Sequence, residues 1–191
     1  MSTYEKILEA AFVHFAEQGY EKAALSQIAL DVGISKAALY HHFSSKEALF
    51  EALYTHLVDA IISDFETDIE NWSKKEYSQK LTEAGFKDLL ALQTNPQLGR
   101  ILNQFYLLSL RVVKLKEQTK RLETETMVYH KRMIDRGVVL ELIQSEDSIQ
   151  VASLYTATLN GLTLDLIHSK RLQTELVWNY FIRKLCLNPL T

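Results

Sequence analysis

The chain has 191 residues, 47% of them hydrophobic and 24% charged, with 21 basic against 24 acidic side chains for a net charge of -3. That suffices for one core or for a small module fused to a larger one, and the acidic excess excludes a protein drawn to nucleic acid or anionic membrane by bulk charge, so any DNA contact must be local. A single cysteine, Cys186, cannot close an intramolecular disulfide, no charged-then-apolar leader opens the chain, and no stretch approaches the ~18 apolar residues of a membrane span, which predicts a cytoplasmic protein without a membrane partner.

Few glycines and prolines, no linkers and no alternating β-branched runs predict an all-α fold. Ile7, Leu8, Ala11, Phe12, Phe15 and Ala16 repeat at helical spacing, and Gly19 follows as a stop. Leu25, Ile28, Ala29 and Val32 mark a short second helix ended by Gly33, and Ser35 caps a third from Lys36 to about Phe43. Ser44-Ser45-Lys46-Glu47 reads as a capping box before a long fourth helix, through Leu49, Phe50, Leu53, Leu57, Ile61 and Phe65 to about Trp72. Further helices are expected near Tyr77 to Gln93, Gln97 to Val113, Leu115 to Arg136, Ser148 to Ser169 and Thr174 to Cys186, with breaks at Asn95-Pro96, Gly137 and Gln144 to Asp147. The expected domains are a helix-turn-helix module over 1–46 and a larger helical domain over 47–191.

The segment from Ile28 to Lys46 carries the chemistry. A helix-turn-helix needs a small residue where its second helix crosses the first, and a residue tolerant of positive φ four positions later. Ala29 and Gly33 meet both needs, and Ile28, Val32, Ile34 and Leu39 close the seam. The third helix is left with Lys36, Ala37, Ala38, Tyr40 and His41 outward, a segment short enough to lie across a major groove. From Lys36 to Lys46 there are two Lys, two His and no acidic residue, so positive charge is concentrated there. Lys46 in the first turn of a helix opposes the macrodipole; a phosphate beside it, held also by the free amides after Ser45, removes that objection.

The run Ile28-Ala29, Gly33-Ile34-Ser35-Lys36, Leu39-Tyr40-His41-His42-Phe43 and Ser45-Lys46-Glu47, with Gly19-Tyr20 before it, resembles the N-terminal domain of the TetR family of repressors over roughly residues 5 to 55. The resemblance implies an all-α homodimer whose third helix reads the major groove of a palindromic operator. It also implies phosphate contacts from Tyr40 and Lys46, an inducer in the larger domain, and a dimer core made by the last two helices of each subunit. Ala23-Ala24 stands where the family usually has Thr or Ser as cap and phosphate contact, with Ser26 as the possible substitute, and Met1 to Glu5 lacks the family's basic arm. Modest, salt-dependent DNA affinity is the expected consequence. The expected DNA contacts are therefore Ser26, Ser35, Lys36, Ala37, Ala38, Tyr40, His41 and Lys46.

Elsewhere Leu102, Phe105, Tyr106, Tyr129, Met133, Tyr155 and Leu159 offer the apolar and aromatic lining of an effector pocket, although each suits plain core as well. Val151 to Ile167 mixes Ala152, Ala157 and Gly161 with larger apolar residues and allows close helix approach, and Leu176, Val177, Tyr180, Phe181 and Leu185 continue that pattern in the last helix. Adjacent His41 and His42 point about 100° apart on a helix and lack a third ligand, so no metal is expected. The isolated His14, His56, His130 and His168 suit surface or satisfied core positions. No glycine-rich phosphate loop, nucleophile elbow or cysteine signature appears, so neither an enzyme nor a cofactor is expected. The reading is a ligand-responsive repressor with double-stranded DNA, a small apolar or aromatic effector and a second copy of itself as partners. The competing reading is a ligand- or protein-binding module that has lost DNA recognition.

Overall fold

The computed structural model describes residues 1–65, 68–144, 147–168 and 173–186. Among these the regular structure is entirely helical: α1 (Thr3–Lys22), α2 (Leu25–Val32), α3 (Lys36–His42), α4 (Lys46–Ser63), α5 (Tyr77–Thr94), α6 (Pro96–Ser109), α7 (Val113–Val139), α8 (Ser148–His168) and α9 (Thr174–Leu185), with a short 3-10 helix at Ile69–Asn71. The chain forms two compact units, Met1–Ser63 with Gln97–Leu122, and Asp64–Pro96 with Glu123–Thr191. The first thus holds α1 to α4, α6 and the first residues of α7, a grouping by packing rather than by the functional division expected at Lys46.

In the first unit, α1 begins with a capping box that the sequence reading did not single out: the Ser2 hydroxyl accepts from the Glu5 amide, and Glu5 accepts from the Ser2 amide. Gly19, expected as a stop, is left-handed at φ 80°, but one more turn follows it, so it kinks α1 instead of ending it. The kink removes helical partners from the backbone on either side. Gln104 of α6 replaces them: its Nε2 donates to the Phe15 carbonyl at 2.8 Å, and its Oε1 accepts from the Tyr20 amide at 2.8 Å. His14 is a satisfied core residue. The Gln18 amide donates to its Nδ1 at 2.9 Å, so Nε2 carries the proton given to Asp31 of α2 at 2.6 Å. Around these bonds Ile7, Phe15, Ile28, Leu39, Leu49, Phe50 and Phe105 form the core. Phe50 meets Phe15 edge-on at 4.9 Å, and Phe105 stacks on Tyr54 at 4.2 Å.

Three boundaries differ from expectation for physical reasons. The serine that caps α4 is Ser45, which accepts from the Ala48 amide at 3.0 Å, rather than Ser44 of a capping box. That helix stops at Ser63 instead of about Trp72, because Ile69 and Trp72 belong to the second unit's core, where Arg136 donates twice to the Trp72 carbonyl at 2.9 and 2.6 Å. Gly137, expected as a break, lies inside α7: a Cβ there would sit 2.2 Å from the Tyr77 hydroxyl, so the glycine serves close packing. The expected end of α8 at Ser169 lies outside the described residues.

In the second unit α5 packs on α8 and α9. Tyr155 and Trp178 lie fully buried against α5, their polar atoms bonded to its backbone: Tyr155 donates to the Leu81 carbonyl at 3.1 Å, Trp178 to the Thr82 carbonyl at 2.9 Å. Both rings reach the helix because Gly85 has no side chain. A Cβ there would stand 2.2 Å from Trp178 Cζ2 and 2.8 Å from the Tyr155 hydroxyl. Gly85→Ala is therefore expected to cost roughly 1–3 kcal/mol by overpacking, although alanine is the better helix former. An unchanged or raised denaturation midpoint for this variant contradicts that packing.

Candidate DNA-reading head

The α2–turn–α3 geometry follows from local chemistry. Gly33 takes the left-handed conformation at φ 75° and ψ 31°, and its amide and that of Ile34 return to the Leu30 and Ala29 carbonyls at 3.0 and 2.9 Å. Ser35 then caps α3 by accepting from the Ala38 amide at 3.0 Å. Ile28, Ala29 and Leu39 are buried in the seam, and Val32 and Ile34 pack partly buried against it. What remains outside is the set read from the sequence. Ser35, Lys36, Ala37, Tyr40 and His41 are exposed and Ala38 is half-buried, with the Lys36 ammonium 5.8 Å from the centre of the Tyr40 ring.

α2 is less well provided. Ala24 at its N-cap makes no side-chain cap bond, and Ser26 lies exposed in the first turn. Lys46 has a different environment from the one its position in sequence suggested. Its ammonium donates to the Glu21 carbonyl at 2.9 Å and the Ala23 carbonyl at 3.3 Å, and lies 4.8 Å from the centre of the Tyr20 ring. The electronegative C-terminal end of α1 therefore offsets the unfavourable end of α4, and no phosphate is needed to explain a lysine there. An ammonium has three N–H groups, and these bonds use two. Among the described residues no cluster of three or more potential metal ligands occurs, at His41-His42 or elsewhere.

The seven candidate effector-pocket residues divide between the two units. In the first, Phe105 is core, packed against Phe50 and Tyr54; Leu102 is half-buried and Tyr106 is exposed. In the second, Met133, Tyr155 and Leu159 are buried, while half-buried Tyr129 stacks face to face on Phe65 at 4.5 Å. His130, beside Tyr129, is buried and meets Tyr155 edge-on at 4.8 Å. The Thr156 hydroxyl spends its proton on the Ala152 carbonyl, so it accepts from His130 Nδ1–H at 2.7 Å and fixes the tautomer. Sequence reading passed over Asp88, an exposed residue of α5 whose carboxyl is pushed up to about 6 by burial, with nearby Lys87 opposing that shift. A lone aspartate in an amphipathic helix carries no sequence signal for this; only the protein gathered around it does.

An all-helical protein with an N-terminal helix-turn-helix whose outer face carries Lys36, Tyr40 and His41 has the architecture of a DNA-binding transcription regulator. Residues 7–53 match the family described as bacterial regulatory proteins, tetR family. Among curated relatives it is 35% identical over 79 residues to the transposon Tn10 TetC protein of Escherichia coli, covering 39% of this chain and 40% of that one. It is 39% identical over 74 residues to the uncharacterized HTH-type transcriptional regulator YvdT of Bacillus subtilis, covering 37% and 38%. It is also 45% identical over 47 residues to the biofilm operon icaADBC HTH-type negative transcriptional regulator IcaR of Staphylococcus aureus, covering 25% of each. The chain thus spans about two-fifths or less of the length of these relatives. Solved structures extend the likeness in fold to nearly the whole chain. A regulator from Saccharomonospora viridis in complex with choline matches with TM-score 0.82 at 20% identity over 97% of this chain and 98% of that one. The FadR regulator of Bacillus subtilis in complex with stearoyl-CoA matches with TM-score 0.75 at 18% identity over 98% and 100%. The family is one of transcription regulators, not enzymes.

Burial of His130 sets a pH dependence. Burial pushes its imidazole down to about 4 from an ordinary value near 6.5, so between those values the unfolded chain holds the extra proton. Its contribution to stability is full above pH ~6.5 and falls by up to about 3 kcal/mol as pH drops toward 4. Asp88, shifted upward, acts in the opposite sense, losing stability as pH rises through about 6. Unfolding free energies of wild type and His130→Asn measured from pH 4 to 7 should diverge as pH rises, with the variant lacking the gain. Parallel curves would mean that His130 titrates normally.

Proposed function

We propose that this chain is a repressor that binds a palindromic operator as a homodimer and is released by a small apolar or aromatic effector. The observation that carries it is the outer face of α3. Lys36 and Tyr40 stand exposed beside small Ala37 on a capped helix whose inner face is fully used in packing. In this reading Lys36, Ala37, Ala38 and His41 face base edges, while Ser26, Ser35, Tyr40 and the third N–H of Lys46 hold phosphates. IcaR, 45% identical to this chain over 47 residues, is named a negative transcriptional regulator, and two structural neighbours hold small molecules, which supports both halves of the proposal. The absence of a helix long and apolar enough to cross a membrane, among the described residues, is consistent with work in the cytoplasm.

Dimerisation through α8 and α9 is supported by what those helices leave uncovered. Leu154, Ala157, Gly161 and Leu164 share one exposed face of α8, and Leu176, Val177 and Tyr180 one of α9. Gly161 has nothing within 4 Å of a Cβ position, so packing within the chain does not require a glycine there, whereas close approach of a second helix does. One α3 reads too few base pairs to select a genomic site, and two held by a two-fold axis read a palindrome. The effector acts by binding the released arrangement of the reading heads more tightly, with a coupling of ~1–3 kcal/mol.

A second reading, a ligand- or protein-binding module without DNA recognition, is favoured by the uncapped start of α2 at Ala24. Electrophoretic shift with the DNA upstream of the protein's own coding sequence separates the two. The repressor forms a sequence-selective complex at low salt. Tyr40→Phe and Lys36→Ala each raise Kd by roughly fivefold or more, corresponding to about 1 kcal/mol per lost contact. No selective complex, or one indifferent to both substitutions, favours the second reading. Sedimentation of Leu154→Glu combined with Leu176→Glu should give a monomer of unchanged helicity; a persistent dimer places the interface elsewhere.

A further inference from the structure

A cavity of about 600 Å³ lies along the contact of α1 with α4, inside the first unit, and none of the seven candidate effector-pocket residues lines it. Its position follows from helical spacing: residues 5, 8, 9, 12 and 13 form one stripe of α1, and residues 53, 56 and 57 one stripe of α4. Leu8 and Leu53 are buried at its floor, while half-buried Phe12 and Leu57 pack on the core with part of their surface and turn the rest to the cavity. The rim is polar and carries Glu5, Glu9 and the His56 imidazole, all exposed, and among the described residues no lysine or arginine lines the cavity. Glu5 spends one oxygen on the Ser2 amide, and Glu9 has no hydrogen-bond or ion-pair partner among the described residues.

These walls set the chemistry of an occupant. The volume falls within the ~300–1,000 Å³ usual for small-molecule sites, and the apolar floor takes a hydrocarbon or aromatic body. Glu5 and Glu9 stand one turn apart on the same face of α1, where like charges repel, and an ammonium at the rim relieves that repulsion by bonding both. An anionic head meets the same two carboxylates unfavourably, and a neutral one leaves their repulsion in place. We propose that this cavity binds an organic cation with an apolar body, a primary amine carrying an aromatic or alkyl chain. Leu8, Phe12, Leu53 and Leu57 receive the body, and Glu5 and Glu9 the head. Such a ligand spans α1 and α4 of the unit that contains α2 and α3, and gives the reading head a small-molecule site of its own, apart from any effector held elsewhere in the protein. The site does not depend on the repressor reading.

Ligand-observed NMR titration of the full-length protein with phenylbutylamine, and with phenylbutanol as its uncharged counterpart, tests the site. Wild type should bind the amine at least roughly fivefold more tightly than the alcohol. Glu5→Gln combined with Glu9→Gln should remove that preference and leave the affinity for the alcohol unchanged, since glutamine keeps the capping bond to the Ser2 amide. Val13 lies exposed on the cavity wall, so Val13→Trp should fill the cavity and weaken both probes by roughly fivefold or more at unchanged helicity. Equal affinity for the two probes, binding of neither, a preference that survives the double substitution, or binding indifferent to Val13→Trp overturns the proposal.

Discussion

The reading head depends on how α1 is brought to an end. Gly19 breaks the helical path, and a broken helix exposes backbone groups that must bond somewhere. Gln104 closes that gap with a single amide, accepting from Tyr20 and donating to Phe15. One turn later the carbonyls of Glu21 and Ala23 face Lys46, the first residue of α4. The two bonding arrangements hold the final turn of α1 against α6 and α4, and α2 starts immediately beyond it. The outward face of α3 is defined only because the elements around it are held in this way.

The second unit solves a different problem with related means. Large aromatic side chains must reach the backbone of α5 closely enough to bond it, and Gly85 removes the one atom that would prevent this. Tyr77 approaches α7 similarly at Gly137 and donates to the Met133 carbonyl at 3.0 Å. Buried hydroxyl, indole and imidazole groups thereby keep partners in an interior that would otherwise penalise them. The same dense surroundings hold His130 neutral, so its titration is a product of packing.

Much of the first unit was legible in the sequence because its signals are local. Ala29, Gly33 and Ser35 act through backbone conformation and capping within a few residues of themselves, and Ser35 to Ala38 and Gly33 to Leu30 are bonds between near neighbours. The inner seam and the outer face of α3 both follow from a period of 3.6 residues. Signals that need a distant partner were misread. Gly137 looked like a stop because the Tyr77 hydroxyl that excludes a side chain there is sixty positions away. Trp72 looked like the end of α4 because its apolar character does not say which core it enters.

Lys46 states the division most plainly. Its place at the start of a helix, opposing the dipole, was readable, since helix polarity is a property of chain order. What offsets it was not, because the carbonyls of Glu21 and Ala23 lie more than twenty residues earlier and meet the ammonium only after folding. By itself the sequence determined the helical class, the helix-turn-helix and the side chains that α3 leaves outside its packing, since periodicity and turn chemistry act over a few residues. The tertiary structure alone decided which glycines serve packing, how the candidate pocket residues divide between two cores, and which partners Lys46 and His130 meet, because each is set by atoms brought together from distant parts of the chain.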